Sequence, residues 1–215
     1  MENVSKLVSQ LEAVETTLSE ATQKLKKHLL HLDSQVKEYD FLKNDSDLKD
    51  KVVMCYRRMM AHELRLIKEN DILRFENICR NAHLQMEGML NYFFKERFRT
   101  VAGQFIAEHK SYVEEINSKA GKTVVYHMPF DRTWSRITFA EKNFLFQKYT
   151  LDSKLYTFVK LLTSFRNSIS HIGYVDKHST TAVEATAEVK NFASLQDVNA
   201  VLEALISMRE YVSNW

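Results

Sequence analysis

Residues 152–173 read DSKLYTFVKLLTSFRNSISHIG. Apolar side chains recur in this stretch at alternating spacings of three and four residues, which is the period of one face of an α-helix. Asp152 or Ser153 can cap such a helix by accepting a hydrogen bond from a backbone N–H of its first turn. The stretch therefore predicts a helix whose apolar stripe is formed by Leu155, Phe158, Leu162, Phe165, Ile169 and Ile172.

The composition extends this prediction to the whole chain. Only 4 Gly and 1 Pro occur in 215 residues, and these are the residues that punctuate tight turns and β-connections. A hydrophobic content of 45% is sufficient for one sizeable core. We expect an all-α fold, a helical bundle of about five to six helices.

The N-terminal segment carries a heptad pattern, which predicts one long helix over residues 1–43 ahead of a helical domain over residues 44–215. Two interpretations of this helix stay open, because it can form a coiled coil with another copy or dock on the body of the protein. The heptad positions are Val4, Leu7, Leu11, Val14, Leu18, Ala21, Leu25, His28 and Leu32.

Polar turn residues at 43–47 separate this segment from a second helix, which the apolar spacing extends to about Glu69. Asn70 is then a suitable N-cap for a third helix. One side of that third helix is apolar. Its other side carries Arg80, His83 and Glu87, which we regard as candidate RNA-binding or supporting residues.

Helical spacing fails near residues 119–134, which predicts a short non-helical insertion, either a loop or a small hairpin. Thr138 and Glu141 then have the spacing of a capping box, which predicts the start of a fourth helix. The helix that contains residues 155–172 follows, and Ser194 is the expected start of the last helix.

The charge balance indicates no general affinity for nucleic acid. With 30 basic and 28 acidic side chains the formal net charge is +2, so any nucleic-acid site must be local.

Cys55 and Cys79 lack CxxC spacing and are typical of reduced core residues. Neither a membrane span nor a signal peptide is recognisable, so we expect a cytoplasmic protein that makes no membrane contact.

Two short matches to cofactor motifs are incomplete. His62-Glu63 begins like a zinc-protease motif but no second His follows nearby, and Gly121-Lys122-Thr123 lacks the preceding Gly of a phosphate-binding loop. We therefore expect neither a metal nor another cofactor.

The segment Arg166-Asn167-Ser168-Ile169-Ser170-His171 carries the most distinctive chemistry of the chain. At roughly 100° per residue, Arg166, Ser170, Tyr174, Asn167 and His171 fall within an arc of about 140° on the side opposite the apolar stripe. This placement predicts a polar face that can meet a substrate or a second subunit.

These residue types meet the needs of RNA cleavage without a metal. A base with a pKa near neutrality must take the proton of the ribose 2′-OH, and a cation must stabilise the charge that grows on the phosphorus. His171 suits the first role and the Arg166 guanidinium suits the second. Asn167, four residues before His171, can orient the imidazole.

Residues 165–173, FRNSISHIG, resemble the Arg-Asn-x-x-x-His motif of the HEPN (higher eukaryotes and prokaryotes nucleotide-binding) family. The resemblance covers about residues 71–215. It departs from the pattern in one respect, because many members have Gly directly after the motif His, where this chain has Ile172 and then Gly173.

The resemblance implies a helical domain that acts as a homodimer, in which two copies of the motif form a metal-independent endoribonuclease site. Arg166, Asn167 and His171 would be its catalytic residues, with Ser170 and Tyr174 as supporting residues. The resemblance also implies a role in a toxin–antitoxin, antiviral defence or RNA-processing system. The expected partner is then a neutralising antitoxin or another protein of the defence system. The alternative is a non-catalytic helical module for protein–protein interaction.

Overall fold

The structure, a computed structural model, describes residues 2–99, 101–123, 126, 128–129, 132–150, 152–172 and 186–215. Within the helices, the side chains of residues 2–5, 21, 24–35 and 170–172 are outside that description. The described residues form helices and no strand, which confirms the all-α prediction. The chain divides into two compact units, Met1–Asp40 and Phe41–Trp215.

The described part of the chain contains eight α-helices, two more than the upper end of the expected number. Two 3₁₀ helices, Asp40–Asn44 and Trp134–Arg136, lie between them. None of the described helices is long and apolar enough to cross a membrane. In chain order the α-helices are α1 (Glu2–Lys37), α2 (Ser46–Glu63), α3 (Asp71–Phe98), α4 (Ala102–Lys119), α5 (Phe139–Phe146), α6 (Ser153–Ile172), α7 (Ala187–Leu195) and α8 (Val198–Ser213).

The predicted caps are formed by short local hydrogen bonds. The Asn70 side chain accepts from the backbone N–H of Leu73 at 2.8 Å, at the start of α3. Asp152 accepts from the N–H of Leu155 at 3.1 Å, at the start of α6. Thr138 and Glu141 form the reciprocal capping box of α5.

Left-handed backbone conformations account for the additional helices and for two corrected boundaries. Arg99 (φ 49°) ends α3 ahead of α4, and Gln196 (φ 48°) ends α7 ahead of α8. The last helix therefore starts at Val198, capped by Asp197, and not at Ser194, which lies within α7. The second helix ends at Glu63, short of the expected Glu69, and Arg65 (φ 55°) follows in the same left-handed region.

The predicted non-helical insertion lies between the end of α4 and the 3₁₀ helix that begins at Trp134. Its described residues form turns, a bend and segments without regular secondary structure, with Gly121 at φ 65°, and they contain no strand. Gly121 occupies the left-handed region that residues with a Cβ adopt at a cost.

Helix α3 is the central element of the second unit, because it packs against α2, α4, α5, α6 and α8. Burial is therefore spread around much of its circumference and is not limited to one apolar face. Polar residues such as Asn81, His83 and Gln85 are buried together with its apolar residues.

Helix α6 packs against α3, α5, α7 and α8 through most of its predicted apolar stripe. Leu155, Leu162 and Phe165 are buried, whereas Phe158 and Ile169 are partly exposed. Val159, which was not assigned to the stripe, is fully buried. The core-facing side of α6 is thus slightly rotated from the predicted one.

Gly88 allows α2 to approach α3 closely, and replacing it with alanine should destabilise the protein. A Cβ on Gly88 would lie 2.5 Å from Cγ2 of Val52, a β-branched side chain that cannot easily rotate away. Overpacking costs about 1–3 kcal/mol, which exceeds the gain of roughly 0.5–1 kcal/mol from replacing a helical glycine. We expect a loss of about 1 kcal/mol for Gly88→Ala in urea unfolding. The same change in a Val52→Ala background should be neutral or stabilising, and an equal loss in both backgrounds would contradict this explanation.

Candidate functional site

Arg166 and Asn167 lie on α6 and contact each other. Nη1 of Arg166 donates a hydrogen bond of 3.1 Å to Oδ1 of Asn167. Arg166 is partly buried and Asn167 is exposed. The guanidinium is therefore held beside an amide at the protein surface.

The rest of the motif continues along the same helix. Ser170 and His171 belong to the last turn of α6, although their side chains are outside the described part of the structure. Tyr174 lies outside the described residues altogether. His171 lies five positions after Arg166, which corresponds to a rise of about 7.5 Å along a helix. Both residues thus belong to the C-terminal part of α6.

His83 on α3 lies close enough to Arg166 for the guanidinium charge to affect its titration. Burial is the larger effect and the positive charge of Arg166 adds to it, and together they lower the pKa of His83 to about 4. The imidazole packs on the ring of Phe139 from α5, with 4.6 Å between ring centroids. The fold therefore places a neutral imidazole next to the motif arginine.

The prediction that His83 lies on an open polar face is wrong. Only 3% of His83 is exposed, and neither ring nitrogen has a hydrogen-bond partner among the described residues. Glu87 is partly buried and lies close to Lys142 of α5, while Arg80 alone of the three candidates on α3 is exposed. The physical reason is that α5 covers this side of α3. A supporting role for His83 can therefore act only through neighbours such as Arg166.

Lys142 is a buried charged residue that the sequence did not single out. Its Nζ donates a 2.7 Å hydrogen bond to Oδ1 of Asn91 and lies 5.4 Å from the centre of the Trp134 ring. Burial lowers the pKa of Lys142, and the nearby Glu87 carboxylate partly offsets this effect. The position of Lys142 within the apolar helix α5 is the one sequence signal that could have identified it as a buried charge.

Arg57 and His62 repeat the five-residue spacing of Arg166 and His171 in a different environment. Arg57 is exposed on α2, whereas Nδ1 of His62 is paired at 2.6 Å with a carboxylate oxygen of Glu69. Within the described residues, no three His, Cys, Asp or Glu side chains are grouped so that they could hold a metal ion.

The burial of His83 predicts a loss of stability on acidification. Its pKa is near 6.5 in the unfolded chain and about 4 in the folded protein, so the unfolded state binds more protons between these values. The contribution of neutral His83 to the free energy of unfolding is complete above pH 6.5. It is lost as the pH falls towards 4, by up to about 3 kcal/mol.

This prediction is tested by comparing wild type with His83→Leu in urea unfolding across that pH range. The difference in unfolding free energy should shift in favour of the variant as the pH falls. Other titrating groups, including His109, are common to both proteins and cancel. A difference that is independent of pH would contradict the assignment.

No family model, curated protein or solved structure matches this chain.

Proposed function

We propose that this chain is a metal-independent RNA endonuclease whose active site is composed of two copies of α6 in a homodimer. The observation that carries the proposal is the Arg166–Asn167 pair in the C-terminal part of α6, on the same helix as His171. This combination supplies a cation for phosphate, an orienting amide and an imidazole base within a short helical segment.

The proposed reaction is attack by a ribose 2′-oxygen on the adjacent phosphorus. His171 accepts the 2′-OH proton as the new P–O bond forms, and Arg166 stabilises the charge on the non-bridging oxygens. The bond to the 5′-oxygen then breaks, and that oxygen takes up the proton that His171 accepted. The products are a 2′,3′-cyclic phosphate and a 5′-hydroxyl.

A second copy is required because one arginine and one histidine on a convex helix cannot enclose a phosphate. A two-fold axis beside α6 would bring Arg166, Asn167, Ser170, His171 and Tyr174 from both copies around one cleft. Two guanidinium groups repel each other without RNA and favour a phosphate between them. Cleavage should therefore weaken as salt concentration rises.

The direct test is incubation of the purified protein with RNA in EDTA, followed by analysis of the fragment ends. Internal cleavage that leaves 2′,3′-cyclic phosphates is expected. Mixing Arg166→Ala with His171→Ala protein then tests the composite site, because each copy can supply what the other lacks. Absence of cleavage would refute the activity, and an active monomer would refute the composite site.

Replacing Arg166 with lysine should impair cleavage although the charge is retained. Lysine lacks the planar guanidinium, which can donate two parallel hydrogen bonds to phosphate oxygens. In this fold the guanidinium of Arg166 also donates a hydrogen bond to Asn167. We expect a loss of at least about tenfold in kcat/KM, the effect of a difference of roughly 1.4 kcal/mol. Full activity of Arg166→Lys would show that Arg166 acts only as a point charge.

The biological setting that we propose is a toxin–antitoxin or antiviral defence system in the cytoplasm, with a neutralising or associated partner protein. A second candidate function is a non-catalytic interaction module. The exposed apolar residues of α1, such as Leu11 and Leu18, favour this candidate. The RNA assay in EDTA distinguishes the two functions.

A further inference from the structure

Helix α1 exposes the first half of its heptad stripe. Leu7, Leu11, Val14 and Leu18 recur at alternating spacings of four and three residues, and each is between 55% and 67% exposed. A contiguous row of large apolar side chains is unusual on a free surface and is typical of an interaction site. The regular heptad spacing favours another helix as the partner.

The charges of α1 indicate which helix that is. Residues 2–20 contain four Glu and one Lys, a net charge of −3, and residues 21–37 contain four Lys and one Asp, a net charge of +3. A parallel pair of α1 helices would place like-charged halves side by side. An antiparallel pair places each acidic half beside a basic half and also opposes the two helix dipoles.

The heptad register supports the antiparallel arrangement. In antiparallel coiled coils an a position of one helix faces a d position of the other. Leu18, an a position, would therefore be level with Ala21, a d position of the second helix. The same register then aligns all the remaining heptad positions from Leu7 to Leu32 with heptad positions of the partner. It also brings Glu15 level with Lys24 and Glu12 level with Lys27.

We propose that α1 forms an antiparallel coiled coil with α1 of a second copy of this chain. The two copies are complementary without any further partner, because each helix carries both charged halves and the whole apolar stripe. Pairing through α1 does not depend on RNA cleavage.

Cross-linking of the full-length protein with a short bismaleimide tests the arrangement. In the proposed register Leu7 is level with Leu32 of the second copy, while two Leu7 positions are separated by roughly 37 Å, 25 residues along a helix. The double variant Leu7→Cys/Leu32→Cys should therefore form covalent dimers, and each single variant should not. The native Cys55 and Cys79 are buried, and wild type serves as the reagent control.

A second pair of variants shows whether the stripe itself holds the helices together. Leu11→Glu with Leu18→Glu, placed in the double-cysteine protein, should lower the yield of covalent dimer at least about tenfold because charges enter the apolar seam. Ser9→Glu with Thr16→Glu adds the same charge on the exposed outer face of α1 and should leave the yield unchanged.

Each alternative gives a different result. Dimers from the single-cysteine variants would indicate parallel helices and overturn the proposal. No covalent dimer from the double variant would indicate that α1 binds elsewhere, including on residues 41–215, and would also overturn it. Loss of RNA cleavage is not a readout here, so failure of the proposed enzyme function and failure of this proposal are distinguishable.

Discussion

Replacing His171 with alanine should lower RNA cleavage by at least about a hundredfold, the lower range for loss of a positioned general base. Without His171, no group at this position of α6 can take the 2′-OH proton near neutral pH. Because His171 lies in the last turn of α6, its removal should leave helicity largely unchanged. The measurement is kcat/KM for an RNA substrate in EDTA, together with circular dichroism of both proteins.

His62→Ala is the matched control. His62 also follows an arginine, Arg57, at a similar spacing, but its ring is paired with Glu69. Its removal should cost stability and leave the cleavage rate per folded molecule within about twofold. If His171→Ala cleaves as fast as wild type, the proposed mechanism is wrong. Equal losses in both variants would point to a general effect of destabilisation.

Replacing Phe93 with alanine should destabilise the second unit by about 3–5 kcal/mol, the range for deletion of a buried aromatic ring. The Phe93 ring is 2% exposed and contacts aromatic rings from three parts of the second unit. Its centroid lies 5.5 Å from that of Phe146 in α5, 5.9 Å from that of Tyr211 in α8, and 5.0 Å from that of Trp215. Replacing the ring with alanine would therefore remove contacts with several elements at once and leave a cavity between them.

Urea unfolding measures this loss, with Ile72→Ala as the control on the same helix. Ile72 is 63% exposed, so its truncation should change the free energy of unfolding by less than about 0.5 kcal/mol. A loss below about 1 kcal/mol for Phe93→Ala would contradict the role of its ring in the core around α3.

Several features of the fold could be predicted from local sequence because the interactions that create them are local. The Asn70 cap, the Thr138–Glu141 capping box and the Asp152 cap each join residues no more than three positions apart. Helical periodicity and the scarcity of Gly and Pro likewise report on neighbouring residues. The all-α class follows from these signals, and so does the position of the non-helical insertion.

Two helix ends could not be predicted in this way. Arg99 and Gln196 adopt left-handed conformations that are usually occupied by glycine, so the sequence carries no clear stop signal at either position. Separate helices α4 and α7 result.

The candidate site shows the same division. The order Arg166-Asn167-x-x-x-His171 on one helix is a property of the sequence, and so is the expectation of a polar face on α6. The environment of that face was decided by tertiary structure. His83 was predicted to be accessible because its neighbours on α3 are polar, yet Phe139 of α5 covers it and Arg166 of α6 lies nearby. Burial depends on which distant elements pack together, and helical periodicity carries no information about that choice.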